Sequence, residues 1–171
     1  TVTNTVTLRS VNGPAQTTIH GGGSVPCVRI THANAVVEGF TIRDGNSSAA
    51  NNSEGGGVYM SAGLLQQCVV VSNRAGGGSA AKGGGIYAFN ATIRNCLLYG
   101  NRGTVAANSR GGGLYGWNFT VQHCTICSNS GTWGGGIFSE GNVAVKNSIV
   151  MDNIVTSSDT NYYGTITFDH S

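Results

Sequence analysis

One pattern recurs along this chain at a fixed interval, and it restricts the fold more than any other feature. Segments 55–73, 83–101 and 111–129 each hold a glycine triplet, an aliphatic residue, an aromatic residue, a cysteine and a closing asparagine. The triplets begin at positions 55, 83, 111 and 134, so the steps are 28, 28 and 23 residues. A repeat of roughly 20 to 50 residues is typical of a solenoid, in which each unit stacks on its neighbours.

Within each repeat, alternating apolar positions predict short strands. The residue after each triplet is aliphatic, so it points inward, and the aromatic residue beside it then points outward. Two further segments carry inward aliphatic residues. The inward positions of the three segments are Val58, Ile86, Leu114 and Ile137; Leu65, Ile93, Val121 and Val145; and Val70, Leu98, Ile126 and Val150. Three strands and no helical period predict one coil of a parallel β-helix.

The repeats extend toward both ends of the chain. "CVRITHANAVVEGFTIRDGN" from Cys27 fits the same frame, with Phe40 at the cysteine position and Gly45 at the asparagine position. "VTLRSVNGPAQTTIHGGG" before it predicts a more degenerate coil. We therefore expect one all-β domain over residues 1–171, a parallel β-helix of about six coils, with clear repeats at 27–153. Both ends are expected to be fragments of a longer chain, since the sequence begins without Met and ends where a strand begins.

Two columns of small polar residues close the repeats and predict ladders through the stack. An inward Asn at a turn can bond its amide to the Asn one coil above, and the alternative is that these residues cap surface turns. The asparagines are Asn73, Asn101, Asn129 and Asn153. The cysteines are Cys68, Cys96 and Cys124, which are expected to fill the core as free, buried thiols because parallel side-chain vectors disfavour a disulfide.

These motifs resemble those of a known family. The glycine triplets resemble the GGA-[ILV] half of the polymorphic outer-membrane-protein repeat; they read "GGGV", "GGGI", "GGGL" and "GGGI" at 55, 83, 111 and 134. The segments that close the repeats are similar to its FxxN half; they read "VVSN", "LYGN", "ICSN" and "VMDN" and end at 73, 101, 129 and 153. The resemblance covers 27–153 and implies a right-handed parallel β-helix on the bacterial surface, often adhesive. It departs from the family in a third Gly for Ala and an aliphatic residue for Phe.

An outward aromatic column beside the variable loops is the candidate ligand-binding surface. Aromatic faces in a row can stack on sugar rings. The alternative is that the rings stack on each other, sheltered by the loops, and stabilise the sheet. The candidate residues are Tyr59, Tyr87, Tyr115, Phe138 and the neighbouring Trp117.

A second outward strip is unusually apolar and predicts a partner surface. Its expected partner is another copy, a neighbouring domain or a covering terminal segment such as "NYYGTITF". The alternative is an ordinary strand face in partial contact with water. The candidate self-association residues are Val69, Leu97, Ile149, Tyr99 and Met151.

Composition and charge argue against several function classes. A net charge of +2 with scattered Lys and Arg gives no nucleic-acid footprint, and no apolar stretch is long enough to span a membrane. The five cysteines match no zinc-ribbon spacing, so no metal or cofactor is expected. The seven acids share few columns of the repeat, so no catalytic residue is assigned and an enzyme is not favoured.

These observations predict a secreted or surface-displayed bacterial protein with a structural or adhesive role. Its partners would be other copies of itself, flanking domains or glycans. Solenoids without polar caps tend to stack end to end, so fibres are a further expectation. The alternative function is a carbohydrate-active enzyme, pectate-lyase-like or a glycoside hydrolase, or a glycan-binding module, because the same fold serves these activities.

Overall fold

In a computed structural model, the chain forms five parallel β-sheets that run along one axis. The structure describes residues 1–48, 53–77, 80–104, 108–156 and 161–170, and these contain strands and turns but no helix. Neighbouring strands in each sheet come from successive repeats, so the chain visits every sheet in turn and returns one rung further along. The fold is a parallel β-solenoid of about five full turns with partial turns at its ends, which confirms the predicted fold class.

Three sheets form the walls of the core. Sheet 1 contains Val28–Ile30, Val58–Met60, Ile86–Phe89, Leu114–Trp117, Ile137–Ser139 and Tyr162–Tyr163. Sheet 2 contains Thr7–Arg9, Val36–Glu38, Leu64–Gln66, Thr92–Arg94, Phe119–Gln122, Val143–Lys146 and Ile166–Asp169. Sheet 3 contains Thr18–His20, Thr41–Arg43, Val69–Val71, Leu97–Tyr99, Thr125–Cys127 and Ile149–Met151.

Two narrower sheets lie beside the variable turns, and both are present in three of the repeats. Sheet 4 contains Asn46–Ser47, Arg74–Ala75, Arg102–Gly103, Ser130–Gly131 and Ile154–Val155. Sheet 5 contains Ser53–Glu54, Ala81–Lys82 and Ser109–Arg110. The sequence pattern predicted three strands per coil and missed these two-residue strands, which are too short to show alternation. Residues 49–52, 78–79 and 105–107 of the variable segments lie outside the described residues.

The strand register confirms the repeat frame. In sheet 1, Ile86 pairs with Val58 on one side and Leu114 on the other. Sheets 2 and 3 continue the inward columns in the same way, and most of their members are fully buried. The pairing of Arg74 with Asn46 places Gly45 in the asparagine column, as predicted. The core is thus a tube of stacked aliphatic side chains.

Each glycine of a triplet is required for a different reason, and the triplet at 83–85 illustrates all three. Gly83 has a φ of +67°, a conformation that side chains other than glycine rarely adopt. A Cβ on Gly84 would lie 2.4 Å from the Arg102 carbonyl, and a Cβ on Gly85 would lie 2.9 Å from Asn101 Cγ. The third glycine therefore makes room for the asparagine side chain, so the two motifs of the repeat are parts of one packing unit.

The asparagines form the predicted ladder. Asn101 is fully buried, and its Oδ1 accepts hydrogen bonds from Asn73 N and Asn73 Nδ2, both at 3.0 Å. Its Nδ2 donates to Val70 O at 2.8 Å and to Asn129 Oδ1 at 2.9 Å. Asn129 bonds to Asn153 in the same manner. These bonds satisfy turn groups that are far from water, and the alternative of surface caps is wrong.

The ladder has one more rung than the repeats indicated. Asn153 N donates to Asn161 Oδ1 at 2.8 Å, and Asn153 Nδ2 donates to the same oxygen at 3.1 Å. Asn161 follows Asn153 by eight positions instead of 24 or 28, so the repeat spacing did not predict this fifth asparagine of the ladder.

The ladder also changes its chemistry at the first coil. Gly45 occupies the asparagine position there, and Cys27, which precedes Val28, occupies the position of the third glycine. The Cys27 thiol donates to Arg43 O at 3.3 Å. Arg43 is in the same column as Cys127, whose carbonyl accepts from Asn129 Nδ2 at 3.0 Å. In this coil the larger residue, Cys27, stands at the glycine position and the smaller one, Gly45, at the asparagine position. The side-chain space is therefore still filled, and one hydrogen bond to a carbonyl of this column is kept.

The cysteine column is buried and free of disulfides, as expected. Cys68, Cys96 and Cys124 are at most 4 % exposed, and all three thiols are free. Cys124 N donates to Ser148 Oγ at 3.1 Å, so the serine continues the column into the next coil. Burial raises the pKa of the Cys96 thiol, so this group stays protonated and packs as a small apolar residue.

Candidate functional site

The outward aromatic residues of sheet 1 form one continuous stack. Ring centroids are 5.0 Å apart for Tyr59 and Tyr87, 5.5 Å for Tyr87 and Tyr115, and 5.6 Å for Tyr115 and Phe138. Phe138 then stacks on Tyr163 at 4.8 Å. Rings one rung apart are held near the spacing of paired strands, which is also a favourable spacing for stacked rings.

The structure buries the middle of this stack, so the prediction of an exposed sugar-binding row is wrong for three of its rings. Tyr87, Tyr115 and Phe138 are 5 %, 0 % and 6 % exposed. Their faces are occupied by each other, which is the alternative that the sequence left open. Tyr59 and Trp117 are half-buried. Trp117 packs on Phe89 at 4.6 Å between ring centroids and meets Tyr87 edge-on at 5.8 Å.

Charged side chains lie over the stack. Arg29 lies 4.0 Å from the centre of the Tyr59 ring, and Lys82 lies 5.5 Å from that of Tyr115. Lys82 belongs to sheet 5 and pairs with Glu54 at 3.6 Å. The short sheet that the sequence did not reveal therefore carries a side chain over the aromatic stack.

The hydroxyls of Tyr87 and Tyr115 are unsuited to acid or base chemistry near neutral pH. Burial raises the pKa of Tyr87, and burial together with the neighbouring Glu140 raises the pKa of Tyr115. Both phenols therefore stay protonated in the folded protein. The stack is a stabilising element of the solenoid in its middle coils.

At its C-terminal end the stack opens into a small pocket. The pocket has a volume of about 220 Å³ and is lined by Asn108, Arg110, Trp133, Phe138 and Tyr163. Trp133 meets Tyr163 edge-on with ring centroids 6.0 Å apart, and Tyr163 is 43 % exposed. Trp133 lies near the predicted aromatic edge, but Tyr163 follows no glycine triplet, so the repeat motif did not indicate it.

The apolar strip of sheet 3 is graded in its exposure. Val69 and Leu97 are half-buried, whereas Tyr99 is 39 %, Met151 46 % and Ile149 54 % exposed. The strip is therefore most open at the last strand of the sheet.

The segment "NYYGTITF" does not cover this strip, contrary to one expectation from the sequence. It supplies the last strands of sheets 1 and 2, Tyr162–Tyr163 and Ile166–Asp169. Beside them, a groove of about 340 Å³ is lined by Ser148, Ile149, Val150, Tyr162 and Phe168. This groove at the end of the solenoid is therefore lined mostly by apolar side chains.

In the described part of the chain, most carboxylates pair with a basic side chain. Glu38 accepts from Arg9 at 3.1 Å and from Gln66 at 2.9 Å. The other pairs are Asp44 with Arg43 and His20, Glu54 with Lys82, Glu140 with Arg110, and Asp169 with His170. Among the described residues, no group of three or more His, Cys, Asp or Glu side chains could hold a metal ion.

Comparison with known proteins gave no relative to guide the assignment. A scan of protein-family models, a search of curated proteins and a search of solved structures each found no match to this chain. Within the residues that the structure describes, there is no helix long and apolar enough to cross a membrane.

Proposed function

We propose that this chain is a structural and adhesive element of the bacterial surface, in which solenoids stack end to end into fibres. The resemblance of its repeats to those of secreted surface proteins supports the location. The complementarity of the two ends of sheet 2 supports the stacking, and this is the observation on which the proposal rests.

The first and last strands of sheet 2 carry opposite charges in the same column. Successive pairings lead from Arg9 through Glu38, Gln66, Arg94, Gln122 and Lys146 to Asp169. The column therefore begins with a cation and ends with an anion. A second copy added in register would bring its Arg9 beside Asp169 of the first, and such complementarity fixes register and orientation.

The inward column of the same sheet has a partly exposed apolar residue at each end. Leu8 is 40 % exposed and Phe168 is 37 % exposed, whereas the members between them, such as Leu65 and Ile93, are fully buried. In-register stacking would place Phe168 of one copy on Leu8 of the next and remove both from water. The outer backbone groups of the two terminal strands would pair at the same time.

The contact joins two different faces, so it does not close on itself and repeats as a filament. Sheet 2 has seven strands, and at about 4.8 Å per strand the axial repeat would be about 34 Å. Sheet 3 has one strand fewer than sheet 2. A gap of one strand would therefore remain at the junction, lined by Ile149 and Met151.

Charge reversal combined with electron microscopy tests this proposal. The wild-type chain should form filaments with this repeat as its concentration rises. Arg9→Asp and Asp169→Arg should each remain monomeric, and an equimolar mixture of the two variants should form filaments again, because opposite charges then meet at every junction.

Arg74→Asp is the matched control, because it reverses an exposed charge in the middle of the solenoid and should assemble like the wild type. Circular dichroism would verify that each variant is folded. A wild type that stays monomeric, or single variants that assemble as well as the wild type, would overturn the stacking proposal.

A further inference from the structure

We propose that the pocket between Trp133 and Tyr163 binds a single pyranose ring of a neutral glycan. This inference rests on the pocket alone and does not depend on end-to-end stacking. At about 220 Å³ the pocket is smaller than the roughly 300–1,000 Å³ of sites for drug-sized ligands, so it accommodates one ring and leaves the rest of a chain outside.

Three aromatic rings supply the apolar walls. Phe138 and Tyr163 stack at 4.8 Å, and Trp133 stands at 67° to Tyr163. Tyr163 is the last ring of the stack, since the last strand of sheet 1 carries it. The buried rings of the stack have a neighbour on each face, whereas Tyr163 is substantially exposed. Aromatic walls of this kind suit the C–H face of a sugar ring.

Arg110 and Asn108 supply the polar lining of the pocket. Arg110 Nη1 donates to Glu140 Oε1 at 2.7 Å, and the two side chains are 37 % and 40 % exposed. Arg110 also lies over Phe138, with its guanidinium carbon 5.4 Å from the ring centre. A guanidinium has five N–H donors, and the Asn108 amide has both donors and an acceptor, so these two residues can donate to and accept from ring hydroxyls.

The charge balance of the Arg110–Glu140 ion pair selects the class of ligand. An aromatic pocket by itself also suits a quaternary ammonium ion, but the guanidinium of Arg110 already lies against Phe138 and repels a second cation. Glu140 in turn compensates Arg110, so a carboxylate-bearing sugar finds no unpaired positive charge. Neutral hydroxyls gain most from such a mixed donor and acceptor wall.

Tryptophan fluorescence tests the proposal in a Trp117→Phe background, which leaves Trp133 as the one indole of the chain. The probes are the methyl β-glycosides of glucose and galactose and the methyl α-glycoside of mannose, with choline and glucuronate for comparison. At least one methyl glycoside should change the emission of Trp133 saturably, with a Kd on the order of 1 mM for so small a ligand.

Two variants in the same background locate the binding. Tyr163→Ala and Arg110→Gln should each weaken binding at least about 10-fold. Tyr162→Ala, which changes a neighbouring tyrosine that lines the end groove instead, should bind like its parent. Circular dichroism would verify folding, and light scattering would record the assembly state in every titration.

Three outcomes would overturn the pocket assignment. They are the absence of a saturable change with all three methyl glycosides, unchanged affinity in Tyr163→Ala, and tighter binding of choline or glucuronate than of any glycoside. None of them concerns filament formation, so failure of this proposal and failure of stacking are distinguishable.

Discussion

Replacement of Asn101 by leucine measures what the asparagine ladder contributes to the stability of this solenoid. The Asn101 side chain takes part in four hydrogen bonds, with two groups of Asn73, the Val70 carbonyl and the Asn129 side chain. A buried hydrogen bond contributes about 1 kcal/mol net, and an orphaned partner costs about 1–3 kcal/mol. Asn101→Leu should therefore lower the free energy of unfolding by about 4 kcal/mol.

Sterics act in the same direction. A Cβ on Gly85 would already lie 2.9 Å from Asn101 Cγ, so the backbone of Gly85 lies directly against this side chain. The branched end of leucine would press on that glycine without replacing any hydrogen bond. Overpacking of this kind costs about 1–3 kcal/mol in well-packed cores, so the figure of 4 kcal/mol is a lower limit.

Urea-induced unfolding, followed by circular dichroism, gives the measurement. Asn142→Ala is the matched control, because Asn142 is exposed, and it should change stability by less than about 0.5 kcal/mol. A loss of clearly less than about 1 kcal/mol for Asn101→Leu would refute the reasoning, since it would mean that the ladder groups find other partners at no cost.

Three further predictions follow from burial and titration. Tyr115→Ala should lower the free energy of unfolding by about 3–5 kcal/mol, measured by the same urea series; a near-neutral change would contradict the burial of this ring. In the native chain at pH 8, Cys127 should react first with Ellman's reagent, ahead of Cys27, whose pKa burial raises to about 11. The three buried thiols of the column should react on unfolding; their prompt reaction in the native state would contradict the packing. The hydrogen bond from Gln66 and the charge of Arg9 lower the pKa of Glu38, so the folded protein favours the carboxylate. Its contribution to stability is present above the ordinary pKa and is lost as pH falls; urea midpoints of Gln66→Leu should therefore depend less on pH below about pH 5 than those of the wild type.

The repeat made the fold readable from the sequence. A fixed spacing of glycine triplet, aliphatic residue and asparagine can be satisfied only if equivalent residues stack, and stacking forces the same register in every sheet. The inward columns, the ladder and the free thiols follow from this constraint, because each depends only on alternation and on position within the repeat.

Features that depart from the repeat could not be predicted from its spacing. Asn161 stands at the position of a third glycine and Tyr163 follows no glycine triplet, so the repeat motif did not place them in the ladder and the aromatic stack. The sequence placed Gly45 at the asparagine position, but the compensating contact of the Cys27 thiol with Arg43 O is visible only in the structure.

Exposure of the aromatic column was decided by the tertiary structure alone. Alternation correctly directed Tyr87 and Tyr115 out of the aliphatic core, but it does not report what lies on the far side of the sheet. Lys82 of sheet 5 and the neighbouring rings cover them there. The sequence by itself thus determined which residues share a column, because that is a property of periodicity. Only the tertiary structure decided which columns are exposed to water and which of their terminal residues are uncovered. The reason is that burial depends on elements that approach in space from distant parts of the coil.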